Sequence, residues 1–322
     1  MLTDPLAQLL SARRTAVLDG GLATELEARG GDLRDPLWSA KLLVENPSLI
    51  RDVHAAYFDA GADVAISASY QASFEGFAAH GMDRGEAEDL MRLSVLLARE
   101  ARDACAAHEA SAREAPAGAG GQANDRLVAA SVGPYGAVLG NGAEYTGDYG
   151  RTADELVEFH LPRMEVLASA GADILAIETI PSVVEAEALV RTLERIPEAR
   201  AWFSFSCRDG ERICDGTTFA AAVGVAASSD QVVAVGANCT APQHISSLVA
   251  IATAATSKPV LVYPNRGAFW DAVRRSWVDP PRQDPRPTLR PAAWAEAGAR
   301  LIGGCCGVGP SDIRGIAEAL GR

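Results

Sequence analysis

Three short stretches decide the fold: "DAGADVAIS" at residues 59–67, "SAGADILAIE" at 169–178 and "EAGARLIGG" at 296–304. Each closes a helical pattern on a glycine and then runs directly into apolar residues. A glycine at that point reads as a helix C-terminal stop, because it enters the left-handed region without a Cβ clash. The apolar run behind it reads as a strand. Five more runs share this character: "TAVLDG" (15–20), "RLVAAS" (126–131), "AWFSFS" (201–206), "QVVAVG" (231–236) and "KPVLVY" (258–263). Continuous rather than alternating hydrophobicity belongs to parallel strands covered on both faces.

Helical patterns lie between the runs. "NPSLIRDVHAAYFDAG" begins with Asn46 as cap and Pro47 in the first turn. Thr152/Glu155 and Ser182/Glu185 have the spacing of capping boxes, and Pro162 is expected to bend or break the helix that Thr152 opens. Eight strands alternating with helices over 322 residues predict an α/β fold, a single-domain (β/α)8 TIM barrel spanning 1–322. An open dinucleotide-binding sheet fits less well, since "LDGGLATELE" (18–27) lacks GxGxxG after the first strand. Two stretches break the regularity. Residues 109–125, rich in Ala and Gly, read as a flexible insertion. Residues 266–291, proline-rich and carrying Trp270 and Trp277, read as a lid or an irregular surface loop.

Composition narrows the class. A net charge of −13 argues against a nucleic-acid or anionic-membrane partner. No apolar run approaches the roughly 18 residues of a membrane span, and the first residues lack the apolar core of a secretory signal. Six cysteines without an export signal point to a reducing cytoplasm and free or metal-bound thiols. The oligomeric state is not readable from the sequence.

In a barrel the strand C-termini share one mouth, where catalysis occurs. The first strand ends in Asp19, Gly20 and Gly21, and the second leads to Tyr70. The fourth ends in Glu178 and Thr179, the sixth in Asn238 and Cys239, the seventh in Tyr263 and Asn265. The eighth ends in Cys305 and Cys306. Three cysteines therefore meet at the mouth. Adjacent cysteines between glycines make a poor disulfide and odd core residues. Three thiolates with one open position describe a reactive zinc site, one Zn2+ per chain, suited to activating a thiol. The paired glycines are expected to turn the chain sharply there. A redox pair is the rival reading, although redox pairs usually space as CxxC. Cys105, Cys207 and Cys214 read as structural, and the five histidines show no metal-ligand spacing. Glu178, closing an apolar run, needs a cation, either a substrate ammonium or an internal Arg or Lys. The amides of Gly20, Gly21 and the next helix offer a seat for a carboxylate. Together these groups suggest a ligand carrying an amino group, a carboxylate and a thiol.

"DGGLATELE" (19–27), "SYQAS" (69–73), "SVGPYGA" (131–137), "ET" (178–179), "GANC" (236–239), "YPN" (263–265) and "GGCC" (303–306) resemble, in order, the homocysteine S-methyltransferase family. The resemblance implies a zinc-dependent barrel that methylates L-homocysteine to L-methionine, with Cys239, Cys305 and Cys306 as ligands. It implies that Glu178 holds the substrate ammonium and the Asp19–Gly20–Gly21 turn its carboxylate. With 16 residues after Cys306, no cobalamin, folate or betaine-type extension is expected. That leaves the compact branch using S-methylmethionine or S-adenosylmethionine as sulfonium donor. Another thiol or a selenol such as selenocysteine, a betaine-using homologue, and a non-catalytic zinc- or thiol-binding barrel are the alternatives.

Overall fold

The glycines of the three repeated stretches adopt the conformation expected of them. Gly61, Gly171 and Gly298 have φ of 103°, 86° and 116°, and each separates a helix from a strand. The computed structural model describes residues 4–33, 39–112, 126–267, 269–271, 276–278 and 288–322. Its strands are β1 (Ala16–Val17), β2 (Val64–Ile66), β3 (Leu127–Val132), β4 (Ile174–Ile180), β5 (Ala201–Phe205), β6 (Val232–Asn238), β7 (Val260–Tyr263), β8 (Phe269–Asp271), β9 (Ser276–Val278) and β10 (Ala299–Ile302). Eight of them form one sheet in the order β1-β10-β7-β6-β5-β4-β3-β2, every pairing parallel. The ends of that order also meet. Leu18 bridges Val64 in parallel, and the Asp63 amide donates to the Val17 carbonyl at 2.7 Å. The sheet thus closes into the (β/α)8 barrel, with all eight expected strands in place.

The repeated stretch does more than stop a helix. Asp63 accepts from the Val17 amide at 2.8 Å and Asp173 from the Val128 amide at 2.7 Å, so each aspartate pins the neighbouring strand at its start. In the third copy Arg300 takes that place and donates to the Arg14 carbonyl at 2.5 Å. Asp63, 1% exposed, is bracketed by Arg13 and Arg322.

Apolar side chains divide into two layers. Leu18, Val64, Ala129, Ile174, Trp202, Leu261 and Leu301 fill the barrel together with Leu6 and Leu9. The last two belong to the helix Pro5–Ala12, which Asp4 caps through the Leu6 and Ala7 amides. This helix closes the end of the barrel away from the strand C-termini. Alternate strand residues such as Val17, Val128, Ile177 and Val262 face outward and pack under the helices. A close-packed floor leaves the C-terminal mouth as the open end.

The structure adds detail to several local expectations. The helix Ala153–Ser169 runs through Pro162 unbroken. Proline removes the bond to the Glu158 carbonyl, but Glu158 is exposed to water, while Phe159, His160, Arg163 and Met164 bury the opposite face on both sides of the proline. The Thr152/Glu155 box forms in full. The Ser182/Glu185 box forms only its first half, because the Glu185 carboxylate instead meets the Tyr135 amide at 2.6 Å, His160 at 2.9 Å and the Tyr149 hydroxyl. The expected insertion begins inside a helix, Arg84–Ala112; its remainder, 113–125, lies outside the described residues. Of the expected lid, β8 and β9 form an antiparallel pair with Trp270 opposite Trp277, and most of the rest lies outside the described residues.

Candidate metal centre and active site

The β-strand C-termini surround a cavity lined by Gly20, Gly21, Tyr70, Gln71, Glu178, Thr179, Cys239, Tyr263, Cys305 and Cys306, with Ser131, Glu144 and Tyr145 between them. Backbone bonds bring the sulfurs together. The Cys239 amide donates to the Tyr263 carbonyl at 3.1 Å and the Cys305 amide to the Pro264 carbonyl at 2.8 Å, so β7 registers the ends of both its neighbours. Sγ of Cys239 and Cys306 are 3.6 Å apart, those of Cys305 and Cys306 3.8 Å, and all three lie within 4.8 Å of one another. A tetrahedral ion about 2.3 Å from each sulfur requires separations of about 3.8 Å. Two of the three separations match that value, and the cluster could hold a metal ion. Among the described residues it is the only such group; Cys105, Cys207 and Cys214 take no part in it.

The glycines at 303 and 304 also allow a close approach of neighbouring chain. Neither Gly303 nor Gly304 has a positive φ. A Cβ on Gly303 would come within 2.6 Å of the Leu18 Cβ, and one on Gly304 within 2.1 Å of the Val308 side chain. Absence of side chains lets β1 and the returning chain press against the cysteine loop.

The profile of the family described as homocysteine S-methyltransferase matches residues 16–320. The chain belongs to that family. It is 48% identical to "Homocysteine S-methyltransferase YbgG" of Bacillus subtilis, over 98% of this chain and 97% of that one. It is 44% identical to a selenocysteine Se-methyltransferase of Brassica oleracea, over 95% of this chain and 88% of that one. The metallated form of the homocysteine methyltransferase MmuM from Escherichia coli superposes with a TM-score of 0.83 at 46% identity, over 98% and 99% of the two chains.

In this homocysteine S-methyltransferase family member, Glu178 is buried and accepts from the Ser131 hydroxyl. Burial pushes its carboxyl up to about 7, against the opposing effect of hydrogen bonds from Ser131 and Tyr263. No ion pair to Glu178 occurs among the described residues, and no lysine, arginine or histidine among them lines the cavity. Among the described residues Glu178 has no arginine or lysine partner.

The next residue is under strain. Thr179 has φ of 61° and Cys239 of 46°, the only non-glycine residues with positive φ among those described. Such outliers cost on the order of 1–3 kcal/mol and gather at functional sites. The register between β4 and β5 slips between Ile177 and Ile180, a bulge that re-aims Glu178 and Thr179. Asn238, fully buried, holds it: its Oδ1 accepts from the Thr179 amide at 2.8 Å, and its Nδ2 donates to Oγ1 at 2.7 Å. Tyr70 and Thr179 line the cavity together. Asn265 donates from Nδ2 to the Cys239 carbonyl at 3.2 Å. Neither asparagine lines the cavity; both brace residues that do.

At the β1 end, Asp19 is 1% exposed, with Oδ2 accepting from the Ile66 amide at 2.8 Å. Burial, opposed by that amide and reinforced by nearby Glu178, raises its carboxyl well above the usual range. The Gly21 amide, expected to be open to a ligand carboxylate, donates to the Val308 carbonyl at 2.9 Å. Gly20 and, at the start of the helix Leu22–Ala28, Leu22, Ala23 and Thr24 line the cavity at this end.

Sequence reasoning passed over Ser131, Glu144 and Tyr145. Ser131 lies in β3, whose end the strand-by-strand reading never examined. Glu144 and Tyr145 lie on a short 3-10 turn, Ala143–Tyr145, beyond that strand and without periodicity to mark it. The Tyr145 hydroxyl is 3.3 Å from Cys239 Sγ. Burial raises Glu144 to about 7.

Proposed function

We propose that this chain transfers a methyl group from a sulfonium donor, S-methylmethionine foremost, to the sulfur of L-homocysteine, giving L-methionine. The observation that carries this reading is the convergence of three cysteine sulfurs within 4.8 Å on the wall of a cavity that also exposes Glu178. The donor set supports one zinc ion per chain, held by Cys239, Cys305 and Cys306: thiolates are soft ligands, and three of them leave a fourth tetrahedral position. Zinc so bound supplies a substrate thiol kept as thiolate at neutral pH.

The chain's own groups do the rest. Glu178, oriented by Ser131 and Tyr263, receives the homocysteine ammonium. The first turn of Leu22–Ala28, with Gly20 beside it, receives the carboxylate, amide N–H groups at a helix start being suited to an anion. Asp19 fixes that end by holding Ile66. Asn238 keeps Thr179 in its strained conformation, and Tyr70 lines the same cavity beside Thr179. With the acceptor fixed at both ends, its sulfur faces the donor methyl, and alignment of two bound reactants lowers the barrier. The bond from methyl carbon to donor sulfur breaks as the bond to the acceptor sulfur forms. The leaving thioether departs neutral, and no base on the reacting carbon is needed.

Initial rates of methionine formation from homocysteine, with four donors at matched concentrations, test this. S-methylmethionine is expected first, S-adenosylmethionine second, betaine and methyl-folate near zero. Betaine outrunning both sulfonium compounds would overturn the donor assignment. Selenocysteine run as acceptor in the same assay measures the relative whose name carries that substrate.

A further inference from the structure

A second buried acid in the cavity has no role in the acceptor half of the reaction. Glu144 is 7% exposed, lines the cavity, and has Oε2 buried without a hydrogen-bond partner. Its turn is fixed from behind, where the Ser206 hydroxyl donates to the Glu144 carbonyl at 3.3 Å. The nearby titratable groups are Tyr70, Tyr145 and Cys239, none of which carries a positive charge. Among the described residues the cavity wall offers two carboxyl groups and three thiols but no lysine, arginine or histidine. A buried carboxyl group left this way either takes up a proton or keeps its charge by meeting a cation, and an entering cation favours the charged form. One zinc ion and one ammonium are already matched to the cysteines and Glu178. Glu144 remains.

We propose that Glu144 is the specificity-determining counter-charge for the sulfonium centre of the methyl donor, in a cavity that Tyr70 and Tyr145 also line. This rests on the methyl-transfer reading and extends it to the donor's own subsite. A sulfonium carries a full positive charge and no N–H, so it is recognised by charge and aromatic faces rather than by hydrogen bonds. Placement beside Cys239 puts the carboxylate near the reacting sulfur rather than at a remote amino-acid tail. The chemistry adds a signature. The positive charge disappears as the thioether leaves, so a carboxylate next to it stabilises the bound donor at least as much as the transition state. Glu144 then selects cationic donors and contributes to affinity, not to the chemical step.

The test uses zinc-loaded protein and the variants Glu144→Gln and Glu144→Asp. For Glu144→Gln the donor KM is expected to rise at least tenfold, with kcat equal to or above that of the parent and homocysteine KM and zinc content unchanged. Glu144→Asp, which keeps the charge, should fall between. Trimethylsulfonium, which lacks the amino-acid half, is the decisive probe: its dissociation constant, measured by calorimetry without homocysteine, should weaken by a similar factor in Glu144→Gln. An unchanged trimethylsulfonium constant would overturn the proposal, as would equal losses for both substrates or loss of zinc. Absence of methionine formation by the parent with any sulfonium donor would instead sink the methyl-transfer reading, and the binding comparison still decides Glu144.

Discussion

Removing the Asn238 side chain tests how the site stores its strain. Asn238→Ala deletes two fully buried hydrogen bonds, of 2.8 and 2.7 Å, and leaves the Thr179 amide unpartnered. Each such bond is worth about 1 kcal/mol net, and an orphaned buried donor costs on the order of 1–3 kcal/mol more, so about 3 kcal/mol is expected. In Thr179→Gly the hydroxyl is gone and the left-handed φ costs nothing, so Asn238→Ala should then cost only about 1.5 kcal/mol, the single amide bond with its partial re-solvation. The expected coupling is thus about 1.5 kcal/mol. With an unfolding entropy of roughly 2.1 cal/mol/K per residue, a chain of this length loses roughly 1.5 °C in Tm per kcal/mol, so Asn238→Ala alone should melt about 4–5 °C lower. Thermal melts of the four metal-loaded proteins measure the cycle. Homocysteine kcat/KM in Asn238→Ala should drop at least tenfold, because Glu178 is the residue before the released one. Additivity of the two substitutions to within about 0.5 kcal/mol, or a Tm for Asn238→Ala within a degree of the parent, would refute the reasoning.

Cys239→Ala, Cys305→Ala and Cys306→Ala should each lose bound zinc and activity while keeping the circular-dichroism spectrum, whereas Cys105→Ser, Cys207→Ser and Cys214→Ser retain zinc; full zinc in any of the first three removes that residue from the ligand set. Glu178→Gln should raise homocysteine KM at least tenfold with zinc content unchanged, breaking a buried charged hydrogen bond being worth roughly 2–5 kcal/mol; an unaltered KM would return Glu178 to a structural role. His54, fully buried with both ring nitrogens unpartnered, is held down to about 4 by burial. The unfolded chain therefore takes up a proton near pH 6.5 that the folded chain refuses until about pH 4, and stability falls as pH drops through that window. At pH 5 the loss relative to His54→Leu should reach about 2 kcal/mol, seen as a Tm difference between parent and variant that shifts by roughly 3 °C from pH 7.5 to 5; a pH-independent difference would contradict it.

The barrel was legible in the sequence because its signals are local. A glycine after a helix, followed by four or five apolar residues, is a statement about consecutive backbone angles and about burial on both faces, and Gly61, Gly171 and Gly298 keep to it. The cysteines were legible for a related reason: once each strand is located, its C-terminal residue is assigned to the mouth, and Cys239, Cys305 and Cys306 follow. What the linear chain could not express is which atoms are already taken. The Gly21 amide looked free until Val308, from the other end of the chain, closed on it. The glycines at 303 and 304 also give clearance to Leu18 and Val308, which no local pattern shows. Asn238 and Asn265, at strand ends assigned to the mouth, brace Thr179 and Cys239, and Glu144, on a turn without periodicity, lines the cavity. Hydrogen-bond partners and steric clearance depend on residues tens to hundreds of positions away, so only the closed barrel decides them. The residue types able to do the chemistry, and the strand ends that carry them, were written in the sequence alone.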